Sequence, residues 1–225
     1  MISPKYATTH YFYSATELSG SKVSPNIVNV YLDYNCPFSA KIFFKLKETV
    51  IPSLQSKHPN KFQFVFVNVV QPWHPNSVYL HEFSLVVANL LREFKDEVNT
   101  NKLFWEVSDV LFKNKEEFYD SANADLNRND IYKQIASLPG IESLKLPFSK
   151  DAILEQLLIK VQKEKGKQSN GGNGATNDIK YFTKYLRGVG VHVTPTVSIN
   201  GIVNNDVSSG NEPESLVKTF EDASA

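Results

Sequence analysis

The sequence has one cysteine in 225 residues. That excludes an intramolecular disulfide and leaves too few thiols to start a cysteine-based zinc site. It also lacks a charge excess, because 24 basic and 24 acidic residues cancel. No long-range positive field therefore draws the chain to nucleic acid, and no acidic tail asks for a basic partner. No run approaches the ~18 apolar residues of a membrane span. His10, His58, His74, His81 and His192 form no close pair, so no metal site is predicted. A Walker A loop, a G-x-G-x-x-G fingerprint and a serine-hydrolase elbow are all missing, which leaves a bound nucleotide or hydrolase chemistry without support. Asparagine, serine and threonine are plentiful, yet no N-x-S/T acceptor occurs. The opening MISPKYATTHYFYS has no basic segment followed by an apolar core. The expectation is a soluble, unexported chain in a reducing, cytoplasmic compartment, with no membrane partner and no bound cofactor.

With 41% apolar and 12% aromatic residues, the chain can bury a substantial core. "IVNVYLDY" (27–34) reads as a buried strand, and Pro37 opens a helix with Ala40, Phe43, Phe44 and Leu46 to Val50 on its apolar side. "FQFVFVNVV" (62–70) is a second strand, reached after a helix long enough for a parallel crossover. The first ~70 residues are thus a βαβ unit. From Ser77 to about Lys165 the spacing is helical throughout, with Ser149 as an N-cap. A further helix capped by Asn177 ends at Gly188 and Gly190. Asn200-Gly201 then joins two strand-like runs as a hairpin, and a last helix covers about Glu212 to Glu221. The order predicts an α/β fold: βαβ, a helical block, then αββα. Residues 1–76 and 177–225 form one discontinuous unit, 77–165 an inserted helical unit, and 166–176 a flexible glycine- and asparagine-rich loop.

Cys36 lies where the first strand meets the first helix. The carboxyl ends of parallel strands gather ligand sites, and the positive end of a helix favours thiolate, the reactive form, over thiol. The bland alternative is a small buried hydrophobe, the common state of a free cysteine. Pro195, in "VTPTVSI", sits where a proline must lie at a strand end, edge or bulge, and tight turns of this sort are where cis proline is found.

A strand–C-P-x-x–helix unit, an inserted helical block and the segment "GVHVTPTVSING" (190–201), in this order, resemble the DsbA-like branch of the thioredoxin fold. The resemblance runs from Ile27 to the last helix. It implies that Cys36 is an exposed nucleophile and that Pro37 and Phe38 are the intervening dipeptide. It implies too that Pro195 is a cis proline packed on the thiol, with the backbone of Thr194 offered to a bound peptide or glutathione. Ser39 departs from the family, whose oxidoreductases usually carry a resolving cysteine there. A dithiol cycle within one molecule is therefore impossible.

Three chemistries stay open. Cys36 could exchange with a protein or small-molecule disulfide, with glutathione as co-substrate resolving the mixed disulfide and Ser39 donating a hydrogen bond to the thiolate. The chain could resemble the kappa-class glutathione transferases and isomerases, although these carry serine at the position of Cys36. Or the fold could keep its groove and serve as a redox-inactive binding module. The loop "QPWHP" (71–75) should emerge beside Cys36. Trp73 would line a groove or cap the core, and His74 would hold the thiolate, carry its proton or merely bond to backbone. Asp33 would exchange protons with the thiol if it points inward, and alternation along the strand leaves inward or outward open. Nothing in the sequence speaks to oligomeric state.

Overall fold

The structure is a computed structural model that describes residues 1–19 and 24–224. Strands β1 (Asn26–Leu32) and β2 (Phe62–Asn68) run parallel, in register from Asn26 opposite Phe62 to Leu32 opposite Asn68. Both are rich in β-branched and aromatic residues, and β2 is buried at every position, as a parallel strand covered on both faces requires. The crossover between them is helical. Helices α1 (Pro37–Lys45) and α2 (Ile51–Lys57) are joined without a break by a π turn at Leu46–Val50. Pro52 accounts for that turn. It has no N–H to give the Glu48 carbonyl and its ring crowds that oxygen, so the ladder shifts just upstream and the Ile51 N–H bonds to Leu46 O.

The inserted block carries α3 (Ser77–Leu91), α4 (Thr100–Lys113), α5 (Arg128–Ala136), the short α6 (Pro139–Ser143) and α7 (Lys150–Leu157). Side-chain caps start three of them: Asn99 accepts from Lys102 N, Asn127 from Asn129 N and Asp130 N, and Ser149 from Ala152 N. Helix α8 (Thr176–Val189) follows and ends at Gly190, whose φ of 74° is the left-handed cap glycine tolerates. Its start differs from the sequence expectation. Asn177 lies inside the helix, and the turn before it is set by Asn173, whose Oδ1 accepts from Ala175 N at 3.0 Å and whose N–H donates to Thr176 Oγ1 at 2.8 Å. The segment is fastened to the block, since Gly174 N donates to Gln156 O and Asn173 Nδ2 to the Tyr132 hydroxyl.

Strands β3 (Thr196–Ile199) and β4 (Ile202–Val203) are antiparallel and complete the sheet order β2–β1–β3–β4. Asn200 and Gly201 both have positive φ, 51° and 88°, as the favoured two-residue hairpin turn demands. Both strands are shorter than the sequence suggests. Pro195 has no ladder donor, so β3 begins after it, while Asn204 Oδ1 accepts from Asp206 N and turns the chain away from β4. Helix α9 (Pro213–Asp222) closes the fold, its Phe220 ring edge-on to Phe64 at 5.4 Å. Phe66, two residues further along the same face, meets Phe43 of α1 and Phe104, Trp105 and Phe112 of α4. This aromatic layer locks sheet, crossover helix and inserted block together, so the amino end of α1 is held between them. The free edge of β2 is covered by the N-terminal segment: Phe12 N donates to Phe64 O and Phe66 N to His10 O, both at 2.8 Å.

Candidate active site

Cys36 is the N-cap of α1, with extended φ and ψ of −80° and 118°. Its N–H donates to Asp33 O at 3.1 Å and its carbonyl accepts from Ala40 N at 3.1 Å, so both backbone groups are fixed. The Thr194–Pro195 bond is cis, and the Cys36 thiol donates to the Thr194 carbonyl across 3.5 Å. The turn before β3 therefore lies directly on the sulfur. One expectation needs correcting here: Cys36 is only 5% exposed, because that turn covers it, and the exposed neighbours are Pro37 and Phe38, the latter at 60%.

Ser39 is fully buried on the first turn of α1. Its Oγ accepts from Asp33 N at 3.3 Å, so its hydrogen bond is with the backbone just past β1 rather than with the sulfur. Asp33 points inward and is completely buried. Its Oδ1 accepts from Asn35 N at 2.8 Å and Ser77 Oγ at 2.6 Å, and its Oδ2 from Gln71 N at 2.8 Å and His74 Nδ1 at 3.2 Å. One carboxylate thus ties together the residues before Cys36, the 71–75 loop and the first residue of α3. A buried carboxyl group needs partners for its lone pairs, and here both oxygens have them. His74 is accordingly partnered with Asp33 and donates its backbone N–H to Gln71 O, in place of a contact with sulfur.

The predicted residues separate into two surfaces. A cavity of about 390 Å³ beside Cys36 is lined by Asn35, Pro37, His74, Tyr119, Asp120 and Ser121. Trp73, 59% exposed, opens instead onto a groove of about 340 Å³ that it shares with Pro72, Phe182, Leu186 and His192. Thr194 spans the interval, its Oγ1 accepting from Gln71 Nε2 at 3.4 Å. Sequence reasoning missed Asn35, Gln71 and the 119–121 wall. Asn35 is adjacent to the cysteine and could have been weighed, but Tyr119 arrives from the inserted block with no local signal. Burial pushes its phenol pKa up, helped by the negative charge of Glu116 and of Cys36 when ionised, so the two side chains sense each other. Among the described residues no group of three or more His, Cys, Asp or Glu side chains could hold a metal, and no helix is long and apolar enough to cross a membrane.

A family model described as thioredoxin matches residues 14–219. No curated protein matches by sequence. Among solved structures, a Pseudomonas syringae protein provisionally designated a protein-disulfide isomerase is 26% identical, with a TM-score of 0.62 over 88% of this chain and 94% of its own. BdbD from Bacillus subtilis, in its oxidised form, is 18% identical, with a TM-score of 0.58 over 99% and 96%. The thiol-disulfide oxidoreductase MdbA from Corynebacterium diphtheriae is 18% identical, with a TM-score of 0.54 over 96% and 99%. The architecture is thus the DsbA-like form of the thioredoxin fold, with the helical block inserted between β2 and β3.

Proposed function

Because this chain belongs to the thioredoxin family, we propose that it acts in thiol–disulfide exchange through the single nucleophile Cys36, with an external thiol such as glutathione completing the cycle. The observation that carries the reading is the placement of the Cys36 sulfur at the start of α1, 3.5 Å from the carbonyl of the Thr194–Pro195 turn. Unpaired N–H groups at a helix start favour a negative sulfur. The Pseudomonas syringae and Corynebacterium diphtheriae relatives, designated a protein-disulfide isomerase and a thiol-disulfide oxidoreductase respectively, support the same chemistry.

The cycle balances without a second cysteine. The Cys36 thiolate attacks the glutathione sulfur of a glutathionylated thiol, a new S–S bond forms to Cys36, and the substrate leaves as thiolate and takes a proton from water. A second glutathione thiolate then attacks that mixed disulfide, releasing oxidised glutathione and restoring Cys36. Each turn consumes one free glutathione, whose sulfur is oxidised as the substrate sulfur is reduced, while the glutathionyl sulfur passes from substrate to Cys36 to oxidised glutathione at the disulfide level throughout. Such a cycle needs a reducing, glutathione-containing compartment, which is why we place the protein in the cytoplasm. Ser39 and Asp33 position the strand end and the helix start, and the Pro37–Phe38 dipeptide and Thr194 border the reacting sulfur. The test is reduction of a glutathionylated peptide in the presence of glutathione. Wild type should turn over and Cys36→Ser should not; equal rates for the two would end the reading.

The 5% exposure of Cys36 favours a second reading, a redox-inactive binding module in which the thiol is a core side chain. Failure of wild type to form any mixed disulfide with oxidised glutathione, in a protein that remains folded, would select it.

A further inference from the structure

We propose that the glutathionyl half of the reacting disulfide is seated in the groove on the Trp73 side of Thr194, with its glycine carboxylate on Arg187. The proposal rests on the exchange reading above and names the seat of its co-substrate. The groove, about 340 Å³, is walled by the 68–73 segment, by α8 and by Val191 and His192, which lead from α8 towards the cis proline. It abuts the reacting sulfur, because Gln71 lines it and donates to Thr194 Oγ1, while the Thr194 carbonyl lies 3.5 Å from Cys36 Sγ. An extended tripeptide spans ~10 Å, enough to run from a sulfur joined to Cys36 past Thr194 to the groove wall two residues away.

The charge of the groove is one-sided. No aspartate or glutamate lines it, whereas Arg187 does, exposed and without an ion pair among the described residues. Lys180 and Lys184 add to the field from the same helix, whose sole carboxylate, Asp178, is buried and paired with Lys5. The carbonyl end of α8 is closed by its own chain, since Leu186 O accepts from Gly190 N and Val191 N, which blunts its negative end beside the groove. The Nδ1 of His192 lies 3.3 Å from Gly190 O. That carbonyl only accepts, so the neutral ring carries its proton on Nδ1 and leaves Nε2 as an acceptor. A guanidinium and an acceptor nitrogen on one wall match a carboxylate with an amide N–H beside it, which is the cysteinyl-glycine end of glutathione. The γ-glutamyl carboxylate fits less well, because the ammonium beside it meets like charge. The cavity on the other side of Cys36 presents Asp120 instead, so it offers a carboxylate no such seat.

The experiment reacts the full chain with glutathione disulfide, with the same disulfide esterified at both glycine carboxylates, and with 2-hydroxyethyl disulfide. In each, the Cys36 thiolate attacks one sulfur, a Cys36 S–S bond forms, and the other half leaves as thiolate and takes a proton from water. Intact mass follows the adduct, and every rate is divided by that of 2-mercaptoethanol with the same disulfide to remove intrinsic reactivity. Wild type should favour the free acid over the ester about fivefold at low salt. Arg187→Gln should bring that ratio to about one by slowing the free acid alone, and Arg187→Lys should retain about twofold. A wild-type ratio near one, a ratio that survives Arg187→Gln, or an Arg187→Gln variant that slows all three disulfides alike overturns the seat. If wild type reacts with none of the three, the exchange reading itself fails, which is a different result from equal rates.

Discussion

The Cys36 sulfur and the Thr194 carbonyl oxygen lie 3.5 Å apart although 158 positions separate them in the chain. The sulfur is therefore part of the packing and part of the chemistry at once, and the two contributions can be separated. Cys36→Ala removes one small buried side chain and one weak hydrogen bond, so it should cost only about 1 kcal/mol of folding stability. Disulfide exchange should fall to background. Urea unfolding and a mixed-disulfide mass assay on the same sample check both. Loss of more than ~3 kcal/mol would mean that the thiol is chiefly structural.

Asp33 accepts four hydrogen bonds in a fully buried position, and its value is in holding three segments together. Asp33→Ala leaves the N–H groups of Asn35 and Gln71 and the Ser77 hydroxyl without an acceptor. Each abandoned buried donor costs about 1–3 kcal/mol, so a total of roughly 3–5 kcal/mol is expected after relaxation and water entry. Chemical denaturation measures it. Amide exchange at Asn35 and Gln71 should accelerate far more than at Val65 in β2, since only the former two lose their acceptor.

Much of this architecture is legible in the sequence because its signals are local. The NIVNVYL and FQFVFVN runs, Pro37 at the first helical position, Ser149 at its cap and the Asn200-Gly201 pair each declare themselves within a few residues. Cys36 and Pro195 were readable as a pair through their resemblance to a family pattern. What stayed hidden is what long-range packing decides. The inward aim of Asp33 depends on strand register against the 71–75 loop, and a one-residue change would turn it outward. The split between His74 and Trp73 depends on how α3 and α8 dock, and the Tyr119 wall on an irregular segment that carries no periodicity. The covering of Cys36 is likewise a matter of tertiary contact, invisible in the CPFS motif.

At the hairpin, Asn200 combines a backbone and a side-chain requirement. Its φ is 51°, its Oδ1 accepts from Ile27 N at 2.9 Å and its Nδ2 donates to Asn26 Oδ1 at 2.8 Å, so the turn is stitched to the start of β1. Asn200→Ala loses both bonds and keeps the unfavourable φ, and should cost about 1–2 kcal/mol. Asn200→Gly relieves the backbone while losing the same bonds, and should cost less. Thermal unfolding of the two variants orders them. The reverse order would show that the positive φ carries no penalty at this turn, since the side-chain bonds are lost in both variants and cancel from the comparison.

Two buried histidines set an acid limit on stability. His10 and His81 are fully buried on either side of Asn68, whose Oδ1 lies 3.0 Å from His10 Nε2 and whose Nδ2 lies 2.8 Å from His81 Nδ1. Burial lowers their pKa values from 6.5 to about 3 for His10 and about 4 for His81, with the Asn68 contact and the Asp33 charge respectively opposing the shift only in part. Both rings are therefore neutral in the folded chain where the unfolded chain would already be protonated. The unfolded state binds the extra protons, so the folded state's advantage is complete above pH 6.5 and declines as pH falls through the window down to about 4 and then 3. Near pH 5 the two together should give a slope of up to roughly 2.7 kcal/mol per pH unit, and one alone about half of that. Urea titrations at a series of pH values measure it. His81→Gln should cost stability at neutral pH yet halve the dependence between pH 6 and 4, leaving its curve to converge on that of wild type under acid; parallel curves would mean that this ring is already charged in the folded protein.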